Sequence, residues 1–218
     1  MTFETIKGRF EEIVGASIDD DTAYDLMLAA ILSIEEERNW EYLKAWDSSK
    51  TASSGDTYLT AKALPTDWRE TFKIVLGDKG PEVIQIPFSE RMRYQDAANR
   101  FYIDVANTNY YLTGARGQSQ TINHCYKKTT TAPSTDNKTS SPSFPSRFHI
   151  VVPFRMAELY SSSLDDSDDT TFKLSVGQRA AYKAVHNSMI AWDDNLKLSA
   201  MEGEEAATEP QEIPVGMM

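Results

Sequence analysis

The chain has 218 residues, enough for one sizeable core or two small ones. Hydrophobic residues at 40% and aromatics at 11% argue against disorder as the main state. A net charge of -11, from 33 acidic and 22 basic residues, argues against a conventional nucleic-acid-binding domain, whose affinity comes from phosphate neutralisation by Lys and Arg.

Residues 3–14 predict a short amphipathic helix. Phe3, Ile6, Phe10, Ile13 and Val14 recur at helical spacing, and Gly15 ends the run. Asp19-Asp20-Asp21 then caps a long helix expected to reach Trp46, because carboxylates satisfy free amides at the positive end of the helix dipole. Its stretch 23–34 is apolar on more than one face. Two readings stand: a central core helix, or a helix with part of its surface (Tyr24, Leu28, Leu32) packed on a neighbouring subunit.

Residues 47–56 read as a Ser/Thr/Gly loop. Strands are expected at 58–64, 71–76, 82–86, 101–106, 109–113 and 120–127, separated by turn residues, with one short helix over Ser89–Ala98. That spacing predicts an antiparallel sheet or small sandwich. Residues 128–143 are almost wholly Thr, Ser, Pro, Lys, Asn and Asp, a mobile arm or an ordered binding loop. Residues 145–161 predict a helix that Pro153 either kinks or opens. Ser175-Val176-Gly177-Gln178 fits a capping box before a last helix whose stripe is Ala181, Val185, Met189, Trp192 and Leu196. From Glu202 the composition turns acidic and Pro-containing, and the helix is expected to end there. The final Ile213, Val215 and Met217 alternate like a strand.

Chemistry-bearing motifs are scarce. Asp165, Ser167 and Asp169 have calcium-loop spacing, but Thr170 and Val176 stand where that loop needs Gly and Glu. His124 and Cys125 are adjacent, so in a strand they point to opposite faces, which disfavours joint metal binding or a Cys–His nucleophilic pair. There is no HExxH, CxxC, Gly-rich phosphate loop or GxSxG elbow. The expectation is therefore no catalytic set, no metal and no cofactor. The single Cys125 leaves no intrachain disulfide and fits a reducing compartment. The opening lacks a secretion signal and no run approaches the ~18 apolar residues of a membrane span, which predicts a soluble, intracellular chain without a membrane partner.

The combination of a long helix, then Gly55-Asp56 through Leu64-Pro65-Thr66-Asp67-Trp68, then the helix start at Phe144-Pro145-Ser146-Arg147-Phe148-His149, resembles the head-to-tail adaptors of tailed bacteriophages. The likeness spans most of residues 3–201, in element order more than in identity. It implies a ring, commonly of twelve copies, between the portal protein and a tail or nozzle protein. Genomic DNA would pass through the ring without specific binding. The place implied is the virion neck, reached from the host cytoplasm during assembly.

The fold expected is α+β. Helices from both chain ends (1–56 and 146–201) form one bundle, because none of their apolar stripes is covered within its own helix. Residues 57–127 form a β-rich insertion, 128–145 a flexible arm and 202–218 a flexible tail. That tail is either a frayed terminus or a docking arm that presents Ile213, Val215 and Met217 to the portal or an adjacent subunit. The competing functions are a hydrolytic enzyme with scattered carboxylates and a regulatory or host-directed binding module.

Overall fold

The computed structural model describes residues 1–78, 80–114, 118–131, 138–163 and 176–208, and within them every side chain except those of 162, 163, 176 and 201–208. The chain forms two compact units: a helical unit of Met1–Tyr42 and Thr130–Met218, and a β unit of Leu43–Thr129. Both chain ends thus belong to one body, with the β unit inserted between them.

In the helical unit, α1 (Phe3–Val14) is capped by the Thr2 hydroxyl and closed by Gly15. Gly15 has φ 71°, a left-handed conformation natural to glycine, and sends its N–H to the Glu11 carbonyl. Phe3, Ile6 and Phe10 are buried. The Asp19 carboxylate accepts from the Thr22 amide at 2.9 Å to start α2 (Asp20–Glu36). α3 (Val151–Ser163) packs on both α1 and α2. A 3-10 turn at Ser146–Phe148 precedes it, and Pro153 stands in its first turn, where a missing N–H breaks no helical bond. α4 (Val176–Thr208) packs on α3 and on that 3-10 turn.

The second helix is shorter than expected: it ends at Glu36 rather than near Trp46. Acidic Glu35, Glu36 and Glu37 crowd the negative end of the helix dipole. Trp40 turns back, and its indole N–H donates to the Ile34 carbonyl at 2.7 Å, filling one of the last free acceptors. Residues expected to be helix end and loop form β1 (Lys44–Ala52) instead. Its pairing with the last strand shifts register between Asp47 and Lys50, so the polar Ser48-Ser49 is a bulge inside a strand.

The β unit holds seven strands: β1, β2 (Ala61–Ala63), β3 (Trp68–Leu76), β4 (Glu82–Gln85), β5 (Arg100–Asp104), β6 (Asn109–Leu112) and β7 (Gln120–Lys128). Their order is β1-β7-β3-β4-β5-β6-β2, in a near-barrel. Every pairing is antiparallel except β4 with β5, which corrects the all-antiparallel expectation. A parallel pair needs a crossover of a dozen or so residues. Residues 86–99 supply it, with a 3-10 turn at Phe88–Glu90 instead of a short helix. The end of the crossover packs closely on Gly114, just after β6, where φ is 75° and any Cβ would meet the Ala98 backbone at 2.9 Å. The core gathers Ile74, Val83, Phe101, Tyr110, Leu112 and Ile122.

Two expected flexible segments differ in part. In 128–145, the described residues on either side of 132–137 are seated. Thr130 is buried and donates to Glu35, Phe144 is buried, and the Ser143 N–H bonds to the Thr131 carbonyl. The Phe3 and Glu4 amides bond to the Ser140 and Lys138 carbonyls. Residues 132–137 lie outside the described residues. α4 continues past Glu202 to Thr208. Glu and Ala there are strong helix formers, and Gly203 alone costs about 1 kcal/mol. Residues 209–218 lie outside the described residues.

Candidate docking surfaces

Charge is divided unevenly between the units. By sequence, residues 43–129 carry 12 Lys and Arg against 9 Asp and Glu, a net +3. The remaining residues carry 10 against 24, a net -14. The overall -11 therefore describes neither unit, and composition taken over the whole chain conceals a weakly basic body joined to a strongly acidic one.

On the helical unit, Ala23, Met27, Ala30, Ile31 and Ile34 form the buried face of α2. Tyr24, Leu28 and Leu32 line its flank, one helical turn apart and half-buried. They are the residues singled out above as a subunit contact, and the fold leaves them partly open to solvent.

α4 is held by a polar clasp. The buried Asp193 carboxylate accepts from the Glu41 amide at 2.7 Å and the Tyr42 amide at 3.2 Å. Arg38 stands 3.7 Å from Asp193 and bonds Asp194. His186 Nε2 lies 2.8 Å from Glu37. Burial pushes the Asp193 carboxyl up, and the Tyr42 and Glu41 amides and the Arg38 charge pull it back. Burial, reinforced by Glu35 and Asp193, also raises the Tyr42 phenol well above its ordinary value. Asp193 is engaged by backbone amides, so the arrangement fastens α4 rather than presenting a carboxylate to a ligand. The expected stripe is displaced accordingly. Tyr182, Met189 and Asp193 are buried, Val185, Trp192 and Leu196 are half-buried, and Ala181 is exposed.

Inside the β unit, His124 is fully buried and burial pushes its pKa down to about 4. Thr71 Oγ accepts from the Trp68 indole N–H at 3.0 Å and lies 2.9 Å from His124 Nε2. The outer face carries an aromatic layer. Tyr102 and Tyr111 stack at 4.8 Å, Phe88 meets Tyr102 edge-on, and the Arg91 guanidinium sits 4.0 Å above Phe88.

Beside that layer is a cleft of about 300 Å³. Prolines 81 and 87 bracket β4 and confine it to four residues, whereas β3 runs for nine. β4 pairs with β3 only at Ile74 and Val75, then stays with β5: the Ile86 N–H bonds to the Phe101 carbonyl at 2.8 Å. β3 bends away, because its pairing with β7 is broken by bulges between Trp68 and Glu70 and between Thr71 and Lys73. The first half of β3 forms one wall. Residues 85–88, Ile103 and Val105 form the other.

Of the residues named from sequence, Tyr24, Leu28 and Leu32 share one face, whereas Ile213, Val215 and Met217 lie outside the described residues, as do Asp165–Asp169. The cleft was missed, although the two prolines around a short strand were its signal. Among the described residues no group of three or more His, Cys, Asp or Glu is placed to hold a metal ion, and no helix is long and apolar enough to cross a membrane. No family model matches the chain, and a search of curated proteins finds no match.

Proposed function

We propose that this chain is a structural virion protein, a head-to-tail adaptor that rings the exit of a phage portal and carries the DNA channel to the tail. One observation carries the reading: both chain ends join in one helical unit, with a β unit inserted between them. That is the architecture implied by the resemblance at Leu64-Pro65-Thr66-Asp67-Trp68. The motif also has a mechanical role. The Trp68 amide closes a turn onto the Pro65 carbonyl, the Asp67 carboxylate accepts from the Tyr126 hydroxyl at 2.9 Å, and its carbonyl accepts from the Thr129 amide. The turn between β2 and β3 is thereby tied to β7, the strand that returns the chain to the helical unit.

The reading assigns the half-open α2 flank of Tyr24, Leu28 and Leu32 to the contact between ring subunits. It assigns no catalytic residue, cofactor or metal. The acidic helical unit repels phosphates, which suits DNA that slides rather than sticks. The test is cryo-electron microscopy of the virion neck with mass spectrometry of purified virions. The expected result is a ring of this chain, twelve copies by resemblance, between portal and tail. Absence of the chain from purified virions overturns the reading.

A further inference from the structure

We propose that Trp68, Thr71 and His124 form a proton-operated latch on the wall of the cleft. With His124 neutral, a chain of hydrogen bonds holds Trp68 in that wall; with His124 protonated, the chain lets Trp68 go. The latch lies wholly within the β unit and is independent of the adaptor reading.

The latch sits where the sheet ladder is interrupted. Pairing of β3 with β7 shifts register between Trp68 and Glu70 and again between Thr71 and Lys73, so Thr71 stands between two bulges. Side chains make the connection there. The Trp68 indole N–H donates to Thr71 Oγ1 at 3.0 Å, and Thr71 Oγ1 lies 2.9 Å from His124 Nε2. Trp68 and Thr71 both line the cleft, whereas His124 is fully buried. A proton on His124 therefore acts, through two hydrogen bonds, on a residue of the cleft wall.

Counting donors and acceptors fixes where the protons are. Among the described residues, His124 Nδ1 is buried without a hydrogen-bond partner, and the Thr71 hydroxyl bonds only Trp68 and His124. With the imidazole proton on Nδ1, the Thr71 hydroxyl donates to Nε2 and Nδ1 alone is left over. With that proton on Nε2, both Nδ1 and the Thr71 hydroxyl proton are left over. Each unmet buried polar group is costly, so the first arrangement holds. All the bonds then run one way, from Trp68 through Thr71 to His124.

A second proton goes to Nε2 and reverses the last link. Thr71 Oγ1 then faces two donors, one of them charged, and must keep its own proton clear of both. The charged donor makes the stronger bond, so the Trp68 link yields. The groups that face the imidazole are Asp47 on β1, set opposite His124 in the sheet, Thr71 on β3, and the rings of Tyr110 on β6 and Tyr126 on β7 at 5.2 and 5.3 Å. Asp47 alone of these carries charge at neutral pH, and its carboxylate also accepts from the Ser49 amide at 2.8 Å. Burial lowers the His124 pKa to about 4, and the Asp47 charge only partly offsets it. The latch therefore holds at neutral pH and lets go as pH falls toward 4.

The test is NMR of the full-length chain between pH 7 and about 3.5. Imidazole nitrogen shifts read the tautomer. The expected result at pH 7 is a neutral His124 with its proton on Nδ1, and a proton on Nε2 overturns the latch. Exchange of the Trp68 indole N–H, divided by the intrinsic indole rate at each pH, reads the release. It should rise at least tenfold as His124 titrates, while β5 and β6 amides stay protected. A flat value through the His124 titration overturns the proposal. So does loss of β5 and β6 protection in step with Trp68, which means unfolding of the whole unit. Two variants bear on the same point. His124→Gln sets an uncharged acceptor near the Nε2 position and should keep Trp68 exchange flat in acid. Thr71→Val removes the middle link and should raise it at least tenfold already at pH 7. Wild-type exchange in Thr71→Val at pH 7, or an acid rise that persists in His124→Gln, shows that the chain does not hold Trp68 and overturns the latch.

Discussion

The β unit closes around Ile74, Phe101, Tyr110 and Ile122, whereas the helical unit fastens its longest helix with Asp193, Arg38 and the His186–Glu37 pair. The first is a sheet curled over an apolar centre. Among its buried polar groups are the neutral His124, Tyr110 and Thr113, together with Lys127 on β7. The second has an apolar seam among α1, α2 and α3, and holds α4 with charged groups as well as with Met189 and Trp192. The lesson is that the two units of one chain rest on different balances of apolar and charged contact, so a substitution in one is expected to act mainly there.

The largest expected effect is on the apolar side. Phe101→Ala should cost about 3–5 kcal/mol, the usual range for removing a buried ring. Hydrogen exchange should show the loss across β3–β7, with α1–α3 amides unchanged. Equal loss of protection in both units would show that they unfold together and break the comparison.

Acid should weaken the β unit below neutral pH. His124 titrates near 4 in the fold and near 6.5 when unfolded, so its contribution is complete above 6.5 and is lost as pH falls toward 4. The loss amounts to up to about 3 kcal/mol. His124→Gln should flatten stability over that window. The helical unit also loses stability as pH falls below 6.5, because burial lowers the pKa of His149 as well, and it has a second limit at lower pH. Lys138 and Lys7 hold the Asp20 carboxyl down to about 2, so its contribution is present above about 4 and lost as pH falls through 2. Urea titrations at pH 7, 5, 4 and about 2.5, followed by amide exchange, follow both units through these windows. A β unit as stable at pH 4 as at pH 7 contradicts this account.

Asp193→Ala should have an intermediate effect, about 2 kcal/mol, because it strands the buried amides of Glu41 and Tyr42. Its signature is faster exchange along α4 with β-unit amides unchanged, and Asp193→Asn, which keeps an acceptor, should restore most of the protection. The smallest effect belongs to Lys138→Ala. It removes a 2.5 Å ion pair with Asp20 between partly exposed groups and should be visible only as faster exchange of the Phe3 and Glu4 amides. A global loss of stability in that variant would mean that the segment around Lys138 is a structural keystone rather than a seated edge.

The sequence by itself determined the elements whose cause is local. The Phe3–Val14 helix, the Asp19 cap and the strands at 82–85, 109–112 and 120–128 follow from caps, prolines and alternation within a few residues. It also determined that both chain ends must share a body, because their apolar stripes are uncovered unless they meet. Only the tertiary structure decided the rest. Residues 44–52 are a strand because β7, far along the chain, offers an edge that absorbs the Ser48-Ser49 bulge. The buried face of α4 turns to include Asp193 because the Glu41 and Tyr42 amides need an acceptor there. The cleft exists because a four-residue strand sits beside a nine-residue one that bends away. Each of these depends on partners supplied from elsewhere in the chain, and periodicity within one segment carries no record of its partners.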